Sequence, residues 1–344
     1  MAAAIPVRNI YFLLCYAWNR LKEGELVDVS SIGSSELADL FSRILITGIY
    51  HLQRRGLEQG YQLVAEEIAG IRGRVDVLKT ARRFLGQHAR AFCEFDDLNV
   101  NTPANQILKA TVTLLADVSS LNQVNRKELL RIRRDLWQIE DRPLSREEFR
   151  RVTLHGNNRH YRFLLSICEL VLLACMVDET TGEYRFRDFL RDERLMAKVF
   201  EDFVFNFYRI NRPEIEVRKE QISWQATSQD DPELHFLPGM HTDISLRTAD
   251  QTLIIDTKYY KETLQEHYDR YTIHSAHLFQ LFAYLKNLEH KGGSDAAAEG
   301  LLLYPVVNER LRLSYDMHGH RVRICTVDLM RNWDKIDAEL RSLV

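Results

Sequence analysis

The chain has 344 residues, enough for two domains with a core each, and its 45% hydrophobic and 28% charged content is that of an ordinary globular protein. A formal net charge of -3 excludes a globally basic nucleic-acid binder, so any contact with DNA must come from local patches. The longest apolar run, FLLSICELVLLACMV, is interrupted by Glu169 and falls short of the roughly 20 residues of a membrane span.

Along the chain, MAAAIPVRNIYFLLCYAW is apolar but lacks the basic lead and small-residue cleavage site of a secretory signal, which points to a cytoplasmic protein. SSELADLFSRILITGIYHLQRRG carries apolar residues at three- and four-residue spacing, a serine at its start and Gly56 at its end, and predicts a long amphipathic helix. Two strand-like runs follow, YQLVAEEIAGIRGRVDVL and ARAFCEFDDL. Helices resume at TPANQILKATVTLLADVSSL, where Thr102 caps and Pro103 fits the first turn, and at NRKELLRIRRDLW. In SREEF, Ser145 and Glu148 have capping-box spacing.

RHYRFLLSICELVLLACMV predicts a mostly buried helix joining two halves, after which DETTGEYRFRD breaks the pattern. From there the expected order is a helix at Arg194–Ile210, a strand at Ile215–Trp224, a polar loop, and a hairpin. A helix at Ser275–Leu288, a strand at Gly300–Val306, two strands around HGH and a terminal helix follow, so the fold class is mixed α/β. The five cysteines form no CxxC pair and the twelve histidines no HExxH, so neither a disulfide framework nor a zinc site is expected. Residues 1–155 carry about three excess positive charges and the remainder about six excess negative ones.

The hairpin HTDISLRTADQTLIIDTKYYKE places Asp243 and Asp256 on strands otherwise fit for a core, with Lys258 two residues beyond the second. Strand side chains alternate, so Asp256 and Lys258 share a face while Thr257 points away. With the turn near TADQ, Asp243 lies across the ladder from them. Two carboxylates a few ångströms apart repel unless they share a cation or a proton. Hard oxygen ligands suit Mg²⁺, and a lysine beside that ion can orient or deprotonate a water, or offset charge building on a phosphate. The set fits metal-assisted phosphodiester hydrolysis. A solvated cross-strand Asp–Lys pair, contributing less than ~1 kcal/mol, is the plainer reading of the same spacing.

The pattern D-x₁₂-D-x-K after LPGMH, within an α-β-β-β-α-β order, resembles the PD-(D/E)XK nuclease superfamily. The proline is displaced from Asp243, and the second acid is Asp rather than Glu. That resemblance implies that Asp243 and Asp256 hold Mg²⁺, with Thr257 counted in the metal site, and that Lys258 assists the attacking water. Glu201, on MAKVFEDFVFNFY, is implied as an extra acidic ligand or base; a solvated helix carboxylate beside Asp202 is the alternative. Gln280 and Tyr284, i and i+4 on HLFQLFAYL, resemble the QxxxY pair of the RecB-like branch, which lines the site and contacts DNA. Only Cys168, Cys175 and Cys325 lie nearby, so the iron–sulfur cluster of some RecB-like relatives is not expected.

IPVRNIYFLLCYAW, RRGLEQGY, GIRGRVD and FDDLNVNTPANQILK, with TDISLRTADQTLIIDTKYYK and LLLYPVV further on, resemble the McrC family of McrBC modification-dependent restriction systems along nearly the whole chain. The resemblance implies a DNA endonuclease that cuts double-stranded DNA with Mg²⁺ and stimulates a hexameric McrB-like AAA+ GTPase. The chain contains no GxxxxGK[ST], in keeping with a nucleotide site on the partner. It would comprise an N-terminal α+β partner-docking domain (1–155), a helical connection (156–190) and a PD-(D/E)XK restriction-endonuclease-like domain (191–344). Within the first, the strand-rich segment 61–98, with Arg72, Arg74, Arg82 and Arg83, is the candidate for reaching the ring. An inactive adaptor of an AAA+ ring and a stand-alone RecB-like repair nuclease remain open alternatives.

Overall fold

A computed structural model describes residues 5–19, 21, 37–154, 159–177, 184–186, 192–259, 264–267, 270–307 and 309–344. The chain forms two compact units, one of residues 37–187 and one of residues 1–36 with 188–344. Among the described residues no helix is long and apolar enough to cross a membrane.

The 37–187 unit is built on α2 (Leu37–Arg55), α4 (Pro103–Ala116), α5 (Gln123–Asp135) and α7 (Arg159–Ala174). α2 buries Leu40, Phe41, Ile44, Leu45 and Ile49, the stripe its apolar spacing predicts. Thr102 does cap α4, accepting from Asn105 N, with Pro103 in the first turn. Asp39 ties α2 to α5, accepting from the Asn125 side chain at 2.9 Å. β1 (Gly60–Ala69) and β2 (Arg74–Val75) both pair antiparallel with β3 (Arg90–Asn99), and the short α3 (Val77–Arg82) lies between β2 and β3 in the chain. One face of this sheet holds a small core of Ala91, Cys93 and Phe95 with Val64, Ile68 and Val75.

Several local expectations give way here. Ser145 starts α6 (Arg146–Arg150) without a side-chain cap, and the Glu148 carboxylate pairs with Arg151 rather than reaching back to complete a capping box. α7 stops at Ala174, and Cys175–Val177 (β4) pairs with Tyr184–Phe186 (β5) rather than continuing the helix. The pattern break read at 178–188 lies largely outside the described residues.

The second unit carries a six-stranded mixed sheet in the order β14-β15-β13-β10-β9-β6. These strands are Arg312–Met317, His320–Val327, Glu299–Pro305, Thr252–Thr257, Ile244–Arg247 and Glu216–Arg218, respectively. β13 runs parallel to both β10 and β15, and the other pairings are antiparallel. The strand read at 215–224 is two pieces, because after β6 the chain leaves the sheet and β7 (Gln221–Ile222) pairs with β8 (Met240–His241). A further pair, β11 (Leu264–His267) with β12 (Arg270–Ile273), has no counterpart in the sequence reading. α9 (Ser275–Glu289) sets Leu281, Leu285 and Leu288 against Ile254, Leu302 and Ile324 of the sheet. Gly300 permits this approach, since a Cβ there would stand 2.9 Å from Leu281 Cδ2.

α8 (Glu193–Asn211) buries Phe200, Phe203, Phe207 and Tyr208, and the Tyr208 hydroxyl donates to Leu340 O at the end of α10 (Trp333–Arg341). α1 (Val7–Ala17) belongs to this unit. Tyr16 meets Phe203 edge-on at 5.7 Å, Asn206 donates to Ala17 O at 3.0 Å, and Asn9 donates to Leu329 O at 2.7 Å. The domain expected at 1–155 therefore loses its first helix to the sheet-bearing unit, and its second boundary moves from 155 to 187 because α7 packs with α2 and α4.

Candidate active site

The β9–β10 ladder pairs Ile244 with Ile255 and turns through residues 248–251, where Thr248 N donates to Gln251 O at 2.9 Å. Asp243 precedes the first ladder residue and Asp256 follows its partner, so the two carboxylates stand at the same end of the pair. Asp256 is wholly buried on a strand whose neighbours are apolar, hence its position is fixed by the packing of Ile254 and Ile255. Lys258 N donates to Leu303 O at 3.0 Å, extending the β10–β13 pairing past the end of the strand.

Lys258 Nζ stands 2.7 Å from Asp256 Oδ2, yet neither oxygen of that carboxylate receives an aligned hydrogen bond. Burial, and then the charge of Asp243, push the Asp256 carboxyl up to about 7 against the pull of Lys258. Asp243 is raised as well, chiefly by burial, with Glu201 adding to the effect and Thr257 and Lys258 opposing it. Thr257 does not stand apart from the site: its N–H and its hydroxyl both donate to Asp243 Oδ2, at 2.8 and 2.9 Å. Alternation alone could not show this, because it is Asp243, beyond the end of its strand, that reaches across to Thr257.

α9 supplies a polar line against the same sheet face. Lys258 Nζ donates to Gln280 Oε1 at 3.2 Å, Gln280 Nε2 to the Tyr284 hydroxyl at 2.7 Å, and that hydroxyl to His241 O at 2.9 Å. The spacing that puts Gln280 and Tyr284 on one helix face thus runs from the lysine to the backbone just ahead of Asp243. His277, one turn earlier, is buried with its Nδ1 3.0 Å from the Tyr304 hydroxyl; burial, Lys258 and His274 push it down to about 4. It escapes the motif, but its i−3 relation to Gln280 marks it as part of the same stripe.

Glu201 lies at the edge, near enough to raise both Asp243 and Asp256. Lys198 donates to it at 3.2 Å and Lys219 is also bonded to it, and both lysines bond Asp202 at 3.0 Å. Neither lysine was singled out by sequence. Among the described residues no three His, Cys, Asp or Glu side chains cluster as a ready-made ion cage. Asp243 and Asp256 stand close enough for the charge of one to raise the other, and the Asp256 oxygens are buried with no aligned donor besides the Lys258 ion pair. Such a pair fits a hard divalent cation that keeps water in its remaining positions.

In the 37–187 unit, two arginines of the strand-rich segment have partners at the surface. Arg72 pairs with Asp97 at 3.2 Å and covers the Phe95 ring at 4.2 Å, and Arg83 lies over Phe92. Arg74 and Arg82 are exposed, and so are large apolar side chains: Tyr61 at 76%, Leu63 at 72%, Ile71 at 76% and Phe84 at 67%. Leu98 pairs with Tyr61 across β1 and β3 and is itself exposed, which places an apolar patch on the sheet face opposite its small core.

A family model described as McrBC 5-methylcytosine restriction system component matches residues 8–305. The chain is 35% identical over 339 residues to the type IV methyl-directed restriction enzyme EcoKMcrBC of Escherichia coli (strain K12), covering 98% of this chain and 97% of that one. Its fold is similar to that of a chain in the refined half-complex from a tetradecameric assembly of Thermococcus gammatolerans McrB AAA+ hexamers with bound McrC. There the TM-score is 0.62 at 18% identity, over 98% of this chain and 75% of the other.

Proposed function

The chain belongs to the family of McrBC 5-methylcytosine restriction system components, and on that premise we propose that it is the nuclease subunit, a PD-(D/E)XK-type, Mg²⁺-dependent DNA endonuclease working with an AAA+ GTPase ring. The observation that carries this reading is the pair Asp243 and Asp256 with Lys258 beside it, the buried Asp256 oxygens having no aligned donor. A buried charge persists when an opposite charge answers it, and one lysine does not answer two carboxylates.

Asp243 and Asp256 hold the ion in this reading, with Thr257 fixing the orientation of Asp243 and Glu201 available at the edge. When bound, Mg²⁺ supplies charge that activates an attacking water and offsets the negative charge growing on the phosphate. Lys258 orients that water or carries charge at the leaving side, while Gln280 and Tyr284 keep its ammonium in place. The exposed apolar patch around Tyr61, Leu63 and Leu98, with Arg74 and Arg82 near it in sequence, is the surface that docks on the ring and stimulates GTP hydrolysis. The McrB hexamers carrying bound McrC in the similar solved structure support a partner of that kind.

The test is reconstitution with the AAA+ partner from the same system and modified duplex DNA. Lys258→Ala and Asp243→Ala are expected to abolish cleavage while GTPase stimulation persists, and chelator is expected to stop cleavage by the unaltered chain. Cutting that continues in excess chelator, or in either variant, would remove the assignment. GTPase stimulation without cutting, even by the unaltered chain under Mg²⁺ or Mn²⁺, would instead favour an inactive adaptor.

A further inference from the structure

Lys219 occupies the link between β6 and β7, on the Asp243 side of the candidate site. Its neighbour Glu220 accepts from Thr242 N at 2.9 Å, one residue before Asp243, and Glu220 N donates to Thr242 Oγ1 at 3.0 Å. The Lys219 ammonium lies 5.3 Å from the centre of the Phe205 ring and is bonded to Glu201 and to Asp202. Those carboxylates hold it above the usual lysine range in spite of partial burial. Its side chain still keeps 37% of its surface exposed.

Lys198 engages the same two carboxylates, so Glu201 and Asp202 are shared by two ammonium groups at the lip of the site. As a stability device this is weak, because partly exposed ion pairs contribute about 0–1 kcal/mol. As a place for an anion it is well made. In the nuclease reading a bound Mg²⁺ would answer Asp243 and Asp256, which leaves Glu201 and Asp202 at the lip to repel an entering polyanion unless a lip cation meets it. A phosphate oxygen is a charged acceptor of the same kind as a carboxylate oxygen, so an ammonium can exchange one for the other with little loss.

We propose that Lys219 binds a non-bridging oxygen of a phosphodiester flanking the one to be cut, giving up a carboxylate when DNA enters. The inference rests on the nuclease reading of Asp243, Asp256 and Lys258. It makes Lys219 a substrate-positioning residue, set by Phe205 beneath it and by the Glu220–Thr242 bonds that tie its link to the Asp243 strand.

The experiment compares the reconstituted complexes of the unaltered chain, Lys219→Met and Lys219→Arg. Duplex binding is followed by fluorescence anisotropy in Ca²⁺ across a salt series, and cleavage kinetics in Mg²⁺. Lys219→Met is expected to bind several-fold more weakly on any DNA sequence and to lower the slope of log K against log salt by about one. KM should rise with kcat nearly kept, and Lys219→Arg should restore slope and KM, which a general loosening of the fold would not do. Unchanged slope and KM in Lys219→Met, in a preparation whose unaltered complex cuts, would overturn the inference alone. An unaltered complex that binds duplex but never cuts would sink the nuclease reading and leave the salt slope to decide the role of Lys219.

Discussion

Asp256 sits at 0% exposure on a strand whose side chains are all buried, and burial, which disfavours the charged form, pushes its carboxyl up to about 7. Between the ordinary carboxylate range and pH 7 the folded chain therefore holds a proton that the unfolded chain has released. Stability must fall as pH rises through that window, by an amount on the order of a few kcal/mol. A divalent cation would reverse the loss by binding the ionised pair. Asp256→Asn, neutral and nearly isosteric, is expected to raise the melting temperature of the chelator-treated chain at pH 8, to leave it little changed at pH 4.5, and to abolish cleavage. Thermal denaturation at both pH values checks this, and a variant that melts lower at pH 8 would mean that Lys258 already compensates the buried charge.

At the scale of elements, the signals that carried were periodic and local. Three- and four-residue apolar spacing marked α2, short apolar runs marked β9 and β10, and the turn read near TADQ fits the β9–β10 register that brings Asp243 and Asp256 to one end. What escaped depended on partners distant in sequence. Ser145 has capping chemistry, yet Glu148 found Arg151; β7 pairs with β8 across a 17-residue loop; and the Lys198–Lys219 clamp joins α8 to the link after β6. The β1–β3 sheet shows the same limit, since GIRGRVD reads as part of a strand-like run, with no sign of a close approach at Gly73. Gly73 has φ +67° and a Cβ there would lie 2.4 Å from Glu94 O, so backbone would have to move. Gly73→Ala is expected to cost on the order of 1–3 kcal/mol locally. Faster proteolysis within 60–99 and weaker GTPase stimulation are the readouts. A variant that is cut faster yet stimulates fully would place the docking surface elsewhere, and a protease-resistant one would show that the close approach tolerates a Cβ.

At the scale of the whole molecule, the order of motifs suggested an N-terminal domain followed by a nuclease domain, but the chain's first helix returns to the last unit. Its contacts are long in sequence, Asn206 to Ala17 and Asn9 to Leu329 among them, and no pattern within residues 5–18 records where the apolar face goes. The consequence is physical. A fragment of residues 1–155 would expose Ile10, Leu13 and Leu14 of α1, which are buried in the intact chain, and would lack α7, whose Tyr161 hydroxyl donates to Asn105 at 2.6 Å and accepts from Glu58 N at 2.8 Å. Residues 37–187 keep α2, α4, α5, α7 and the small sheet together. That fragment is expected to fold cooperatively and to raise the GTPase rate of the AAA+ partner without cutting DNA, while 1–155 aggregates. Deleting residues 1–18 from the full chain should lower the stability of the sheet-bearing unit and reduce cleavage, because Tyr16, Phe203 and Phe207 lose their shared packing. Circular dichroism melts, steady-state GTPase assays and, for the deletion, cleavage assays on these three proteins, with residues 188–344 as a fourth in the GTPase assay, check the set. Stimulation by residues 188–344 but none by 37–187 would show that the ring is engaged by the nuclease unit and would overturn the division of labour between the two units.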